Sequence, residues 1–350
     1  LKSQVLPRPE RYKATISYIA AAQLLFNCFQ TRNMNKAKLL FLLLPIYVLS
    51  CTSPANTETS GGWKKYEGNP VLGGSFGTIF DISVLHDTTN KYEMYCSWRP
   101  KRSIALSEST DGLKWSDPVI CLPYDDSSGW ERDVNRPVVV KKDGKYHMWY
   151  TGETDSSSQI GYAVSDDGKH FTKVVPQPVL TASTPWEKKA VQCPHVIWDE
   201  QEKQFKMWYS GGEQYEPDAI GYATSTDGIQ WKKYEGNPVF KNNPTNEWEQ
   251  AKVTACQVIK RTDDYLMFYI GFKNVDYAQI GMAKSKDGIN NWERYSANPI
   301  IKPGTVWDSS AVYKPYTIQN NDQWLLYYNG RKNNVEQIGI AIHDGKDLGF

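Results

Sequence analysis

Four carboxylates stand where one chain can do acid–base chemistry. Asp81 lies in "FDIS" and Asp133 in "RDVNRP"; Glu153 follows "WYTG" and Glu213 follows "WYSGG". Cleaving a glycosidic bond takes two carboxyl groups, one protonated to serve the leaving oxygen and one ionised to act as base or nucleophile. Polar and cationic side chains at similar depth suit sugar hydroxyls or an anion: Arg136, Gln192, His195, Lys252, Tyr313, Lys314 and Arg331. His195 sits in the apolar stretch "PHVIW", so the plainer reading is a satisfied core histidine.

These residues form a group only if the fold gathers them, and a repeat supplies the means. "IALSESTDG", "IGYAVSDDG", "IGYATSTDG", "IGMAKSKDG" and "IGIAIHDG" begin at Ile104, Ile160, Ile220, Ile280 and Ile338. The turn glycines Gly112, Gly168, Gly228, Gly288 and Gly345 are separated by 56, 60, 60 and 57 residues. A period of that size marks a repeat architecture. Each copy reads as β. An aromatic strand such as "YHMWYTG", "FKMWYSG", "YLMFYIG" or "WLLYYNG" follows a shorter apolar strand. The "IGYA" strand comes third, and its Asp-Gly predicts a tight hairpin into a fourth strand of the "WKKYEGNPV" type. The expectation is an all-β chain: a five-bladed β-propeller over residues 62–350, with four antiparallel strands per blade. The fourth-strand signature also stands at the start, "GWKKYEGNPV" from Gly62, while the last copy ends in "DGKDLGF". The N-terminal strand should therefore complete the final blade and close the ring.

The repeat also serves as its own control. Trp130-Glu131, Trp186-Glu187, Trp248-Glu249 and Trp307-Asp308 recur once per copy, so these acids are read as architecture. The Asp of each Asp-Gly turn is discounted in the same way. Positions that differ between copies are the informative ones. Alignment on the aromatic strands places Asp81, Arg136, Cys193, Ala255 and Lys314 in one column. Acids gather in copies one to three, and Arg99, Lys273, Arg331 and Lys332 put cations near the other positions. Among the acids, Asp81 is the expected base or nucleophile, Glu213 the expected acid, and Glu153 its rival.

Composition excludes some classes. The 40 basic residues nearly cancel the 39 acidic ones, so no electrostatic footprint for nucleic acid exists. The 13 Trp and 22 Tyr suit both sheet packing and sugar faces. Before the repeats, Met34 opens a basic start, an apolar stretch from Leu39 to Leu49 and "VLSC" ending at Cys51. That length fits a signal-peptide core and falls short of a membrane span. "VLSC" resembles a bacterial lipoprotein lipobox, which implies lipidation of Cys51, a membrane anchor and a place in the cell envelope, periplasmic or at the cell surface. Residues 1–33 then read as an over-extension of the reading frame, 34–50 as the signal peptide and 51–61 as a tether. Of six cysteines, Cys96, Cys121, Cys193 and Cys256 remain in the fold. They lack metal-ligand spacing and read as buried and free.

Five copies, "FDIS" in the first inner strand and "RDVNRP" in the second copy resemble the five-bladed propeller glycoside hydrolases, the arabinanase/β-xylosidase and invertase/levanase groups. The resemblance implies an exported glycosidase acting on an oligosaccharide or polysaccharide fragment, a furanoside such as an arabinofuranoside among the candidates. It implies an Asp on the first inner strand as base or nucleophile, matched by Asp81. It implies a second Asp that tunes the acid, matched by Asp133 with Val134 in place of the usual proline, and a Glu from a later blade as acid. No cofactor is expected, although some members of the resembled groups hold a calcium on the propeller axis. Two alternatives stand beside hydrolysis. One is a mannoside phosphorylase-like enzyme, with Arg136, Lys252, Lys314 and Arg331 as its phosphate cluster. The other is a non-catalytic glycan-binding lipoprotein.

Overall fold

The second strand of each repeat is a near-continuous run of apolar and aromatic residues, and the computed structural model shows it buried on both faces. It describes residues 58–350, residues 216 and 305 excepted. The lipobox, Cys51 and the segments before it lie outside the described residues. The first repeat holds β2 (Ile79–His86), β3 (Tyr92–Trp98), β4 (Ser103–Ser109) and β5 (Val119–Leu122), after the short β1 (Trp63–Lys65). The second holds β6 (Asp133–Lys142), β7 (Lys145–Glu153), β8 (Ser158–Ser165) and β9 (Thr172–Lys173). The third holds β10 (Ala190–Asp199), β11 (Gln204–Gly212), β12 (Pro217–Ser225), β13 (Lys232–Lys233) and β14 (Phe240–Lys241). The fourth holds β15 (Lys252–Lys260), β16 (Tyr265–Asn274), β17 (Tyr277–Ser285) and β18 (Glu293–Arg294). The fifth holds β19 (Ala311–Asn320), β20 (Gln323–Lys332) and β21 (Val335–Asp344). Helix among the described residues amounts to four 3-10 turns, so the chain is all-β.

Repeats one and four are four-stranded sheets. In the fifth repeat β1 pairs with β21, Trp63 opposite His343, giving the order β1-β21-β20-β19. Repeats two and three share a nine-stranded sheet, joined by one parallel pair, Ala190 with Ser158. Among the described residues no sheet closes on itself. The first strands β2, β6, β10, β15 and β19 touch in that order, and β19 touches β2.

The Asp-Gly motif supplies the links between neighbouring repeats. Tyr95 Oη donates to the Gly168 carbonyl at 3.0 Å, Trp149 Nε1 to Gly228 at 2.9 Å and Trp208 Nε1 to Gly288 at 2.8 Å. Tyr327 Oη of the fifth repeat donates to Gly112 of the first at 2.9 Å. The motif is therefore not the expected tight hairpin. In repeat two, Val164 pairs with Thr172 across a wider loop, and Asp167 Oδ1 accepts from the backbone N–H of Lys169 and His170. The loop must be wide because its glycine carbonyl faces the next repeat rather than its own strand. True tight hairpins lie elsewhere: Asp143-Gly144 and Asn333-Asn334 each join paired strands with positive φ at both residues, as a two-residue turn requires.

Two further regularities explain the repeated letters. A Cβ on Gly152 would lie 2.4 Å from the Trp130 ring, and one on Gly161 would lie 2.6 Å from it. The indole of each Trp-acid pair thus lies across the "WYxG" and "IG" glycines. Three of the fourth-strand segments are interrupted by "NP", at Asn69, Asn237 and Asn298, and proline has no N–H to give the ladder. The asparagine amide takes over. Asn237 accepts from Tyr222 N and donates to Tyr222 O, and Asn298 does the same with Met282, as Asn69 does with Ile340.

Candidate active site

The informative column of the repeat alignment turns out to be a column of bulges. Asp81, Arg136, Cys193, Ala255 and Lys314 all have positive φ, between 34° and 54°, and each interrupts the register of its first strand. A bulge re-aims a side chain and is favoured beside functional sites. Left-handed backbone at a non-glycine residue is strained and needs support from its surroundings. Support comes from the neighbouring repeat. Arg136 N donates to Ser97 Oγ at 2.8 Å, Cys193 N to Thr151 Oγ1 at 3.1 Å, Ala255 N to Ser210 Oγ at 2.8 Å and Asp81 N to Asn329 Oδ1 at 3.0 Å. In four of the five repeats the residue at the "x" of "WYxG" therefore holds the next repeat's bulge; repeat four carries Ile270 there.

The bulges surround a cavity of about 410 Å³, within the range of small-molecule sites. Asp81, Asp133, Glu153, Arg136, Tyr313 and Arg331 line it, so the structure brings together six of the side chains singled out from sequence. Asp81 is 5% exposed and Glu153 7% exposed. Arg136 lies between them, with Nε 3.2 Å from Asp81 Oδ2 and Nη1 2.9 Å from Glu153 Oε2. Asn329 Nδ2 donates to Asp81 Oδ1 at 2.8 Å, and Asn135 Nδ2 to Glu153 Oε2 at 2.7 Å. Burial alone would push the Arg136 guanidinium down, but Glu153, Cys193 and Asp81 around it hold it above its ordinary value. Burial pushes the Cys193 thiol up to about 11, so Cys193 lines the cavity as a neutral thiol. Asp133 lies nearer the rim, 3.0 Å from Arg132 Nε and 3.6 Å from Arg102 Nε.

Sequence reasoning missed Glu336. It lines the cavity at 8% exposure, accepts from Tyr313 Oη, and lies 3.1 Å from Arg99 Nη2. The signal was available in the residue two before each "IG" isoleucine: Ser158, Asp218, Ala278 and Glu336 differ there. The expectation that acids gather only in repeats one to three is therefore corrected. Repeat five supplies an acid, and Lys273 of repeat four is exposed and paired with Glu247.

Five other expected site residues lie elsewhere. Glu213 is half exposed and paired with Lys188 at 3.2 Å, outside the central cavity. Its column mate to Glu153 is Gly212. An irregularity at Gly211/Gly212 separates Glu213 from the strand's inward face. Gln192 is buried, donating to the Gln214 carbonyl at 2.6 Å. His195 is buried with its ring nitrogen 2.9 Å from the Val258 carbonyl, and burial pushes it down to about 3. This is the core histidine of the plainer reading. Lys252 lies 3.7 Å from Asp218, away from the lining, and Lys314 is buried beside the cavity without lining it.

The repeated acids behave as architecture. Glu131 accepts from Tyr150 Oη at 2.5 Å and Lys173 at 2.7 Å, and Glu187 from Tyr209 at 2.8 Å and Lys233 at 2.6 Å. Glu249 pairs with Tyr269 and Arg294, and Asp308 with Tyr328 and, from β1, Lys65. All four cysteines of the fold are buried and free. Among the described residues no three His, Cys, Asp or Glu side chains could hold a metal. An axial calcium does not fit the bulge column, which offers one carboxylate beside Arg136 and Lys314, whereas calcium takes six to eight oxygens.

Known proteins resemble this chain in sequence and in fold. The family described as "Glycosyl hydrolases family 32 N-terminal domain" matches residues 75–253, about half of the chain. A 1,2-beta-oligomannan phosphorylase of Thermoanaerobacter sp. is 28% identical over 66% of this chain and 76% of its own. The levanbiose-producing levanase of Bacillus subtilis is 25% identical over 57% of this chain and 45% of its own. A solved thermostable family-43 glycoside hydrolase superposes with a TM-score of 0.62 at 20% identity, covering 78% of this chain and 91% of that one, which shows a shared fold. With the family matched from just before β2 into β15, across the strands that carry Asp81, Arg136 and Glu153, the chain belongs to the family 32 glycosyl hydrolases by their N-terminal domain and is a glycosidase.

Proposed function

We propose that this enzyme hydrolyses a glycosidic bond with Asp81 as base or nucleophile and Glu153 as acid. The observation that supports it best is the shared Arg136 between two nearly buried carboxylates from different repeats. Asn135 and Arg136 both reach Glu153 at Oε2, leaving Oε1 for a proton and a leaving group. Glu336 has both oxygens engaged, by Tyr313 and Arg99, and suits a sugar hydroxyl better than a proton relay. Asp133, Tyr313 and Arg331 are proposed to hold the sugar.

The five strand sets, read as blades, make a five-bladed propeller that β1 completes. The lipobox pattern supports export and an envelope anchor through Cys51, with an oligosaccharide as substrate and a furanoside as candidate. No cofactor is proposed. A second reading is phosphorolysis, supported by the mannan phosphorylase relative and by Arg99, Arg132 and Arg331 in the lining. The test is product analysis on oligosaccharides with and without inorganic phosphate. Free reducing sugar independent of phosphate, lost in Asp81→Asn, supports hydrolysis. Sugar 1-phosphate appearing only with phosphate supports the second reading. Binding without any product, in wild type and variant alike, overturns both.

A further inference from the structure

The cavity has two unlike walls, and the unlike one comes from a single repeat. At the "x" of "WYxG" the repeats carry Ser97, Thr151, Ser210 and Asn329, but repeat four carries Ile270. Two residues on stand Arg99, Glu153, Gly212 and Arg331, against Phe272. Opposite Phe272 in the ladder is Ala278, where Ser158, Asp218 and Glu336 stand in repeats two, three and five. The bulge of repeat four is Ala255, against Asp81, Arg136 and Lys314. At these four positions, repeat four is apolar where other repeats carry polar groups.

Ile270, Phe272, Ala278 and Ala255 pack with Ala311 into one buried cluster, and all five line the cavity. One polar atom interrupts this wall. Thr254 lines the cavity at 3% exposure, and its hydroxyl has no partner among the described residues. A sugar hydroxyl pressed on this wall loses its water and finds at most one partner, which is unfavourable. A methyl group pressed there loses nothing and removes apolar surface from water.

Resting on the glycosidase reading of this cavity, we infer that repeat four forms an apolar subsite for a methyl-bearing substituent of the substrate sugar. Two chemistries carry such a methyl: the C-methyl of a 6-deoxy sugar, and the acetyl group of an acetylated sugar. Only the acetyl group also brings a carbonyl that can accept from Thr254.

The test uses matched pairs of glycosides, the hydroxylated parent against its 6-deoxy form and against its acetyl ester. Calorimetric binding to the intact protein is measured beside product release. The expected result is about 10- to 100-fold higher affinity or kcat/KM for one methyl-bearing member, the range a hydrophobic pocket achieves for such a difference. Phe272→Ser should erase that preference, so that parent and methyl-bearing members are treated alike. Thr254→Val should weaken the acetylated member alone if acetyl is the group, and neither member if the C-methyl is. Equal treatment of parent and methylated members, with turnover intact, overturns the subsite and leaves the glycosidase reading standing. A binding preference without product from any member keeps the subsite and sinks the glycosidase reading. Absence of both binding and turnover for every pair counts against the two together.

Discussion

The chain buries two sets of carboxylates and treats them in opposite ways. Glu131, Glu187, Glu249 and Asp308 each accept from a tyrosine of their own repeat and from a cation on the outermost strand. Asp81 and Glu153 share one guanidinium, and each also takes a single asparagine amide. The first set is compensated charge for charge and repeats with the architecture. The second is undercompensated, occurs once, and faces a cavity. A buried charge left short of partners costs stability, so a fold keeps one where it has another use.

The comparison is broken most severely at the cavity. Asp81→Asn should lower kcat/KM by about 10²–10⁴-fold, the scale of an acid–base group, while the melting temperature barely moves, because Asn329 and Arg136 remain. Steady-state kinetics beside thermal unfolding checks both halves. At the architectural set the expectation reverses. Glu187→Gln strips Lys233 of its charged partner and should cost about 3 kcal/mol in stability, read by urea unfolding, with kcat/KM of the folded fraction unchanged. Burial first, opposed by the bond to the Val258 carbonyl and reinforced by the Lys314 charge, also sets the pH behaviour of His195. Its folded form is pushed down to about 3, while the unfolded form titrates near its ordinary value of about 6.5. The unfolded chain therefore binds more protons between those values, and stability is full above about pH 6.5 and falls as pH drops toward 3. His195→Gln should remove up to about 1.4 kcal/mol per pH unit of that slope, measured by unfolding at a series of pH values. The smallest effect is at Glu213→Gln. Its half-exposed pair with Lys188 predicts a stability change within about 0.5 kcal/mol and no change in turnover.

Much of this was legible because the repeat supplies internal comparison. The bulge column was found by aligning copies, and the four architectural acids were set aside by the same logic. Glu153 was legible as a site acid because it continues the inward phase of β7. Glu213 misled because repeat three inserts Gly212 before it, and in a strand one extra residue moves a side chain to the other face. Gln192, His195, Lys252 and Lys314 sit at the right height on their strands. Whether a side chain at that height reaches the cavity or packs against a neighbouring strand depends on the bulge geometry, which one-letter codes do not carry. Glu336 was missed for a simpler reason: its column, on the third strand, was treated as uniform because "IG" beside it is uniform.

The most direct test of the central claim is the dependence of Glu153→Gln on the leaving group. kcat/KM is compared with wild type across aryl glycosides whose phenols span a range of acidity, with the melting temperature recorded alongside. If Glu153 delivers the proton, the loss is slight for the most acidic phenols and grows steadily as the leaving group becomes more basic, on a protein of unchanged stability. A loss of equal size for every leaving group, or one matched by a fall in melting temperature, would contradict the role and return Glu153 to the architectural set.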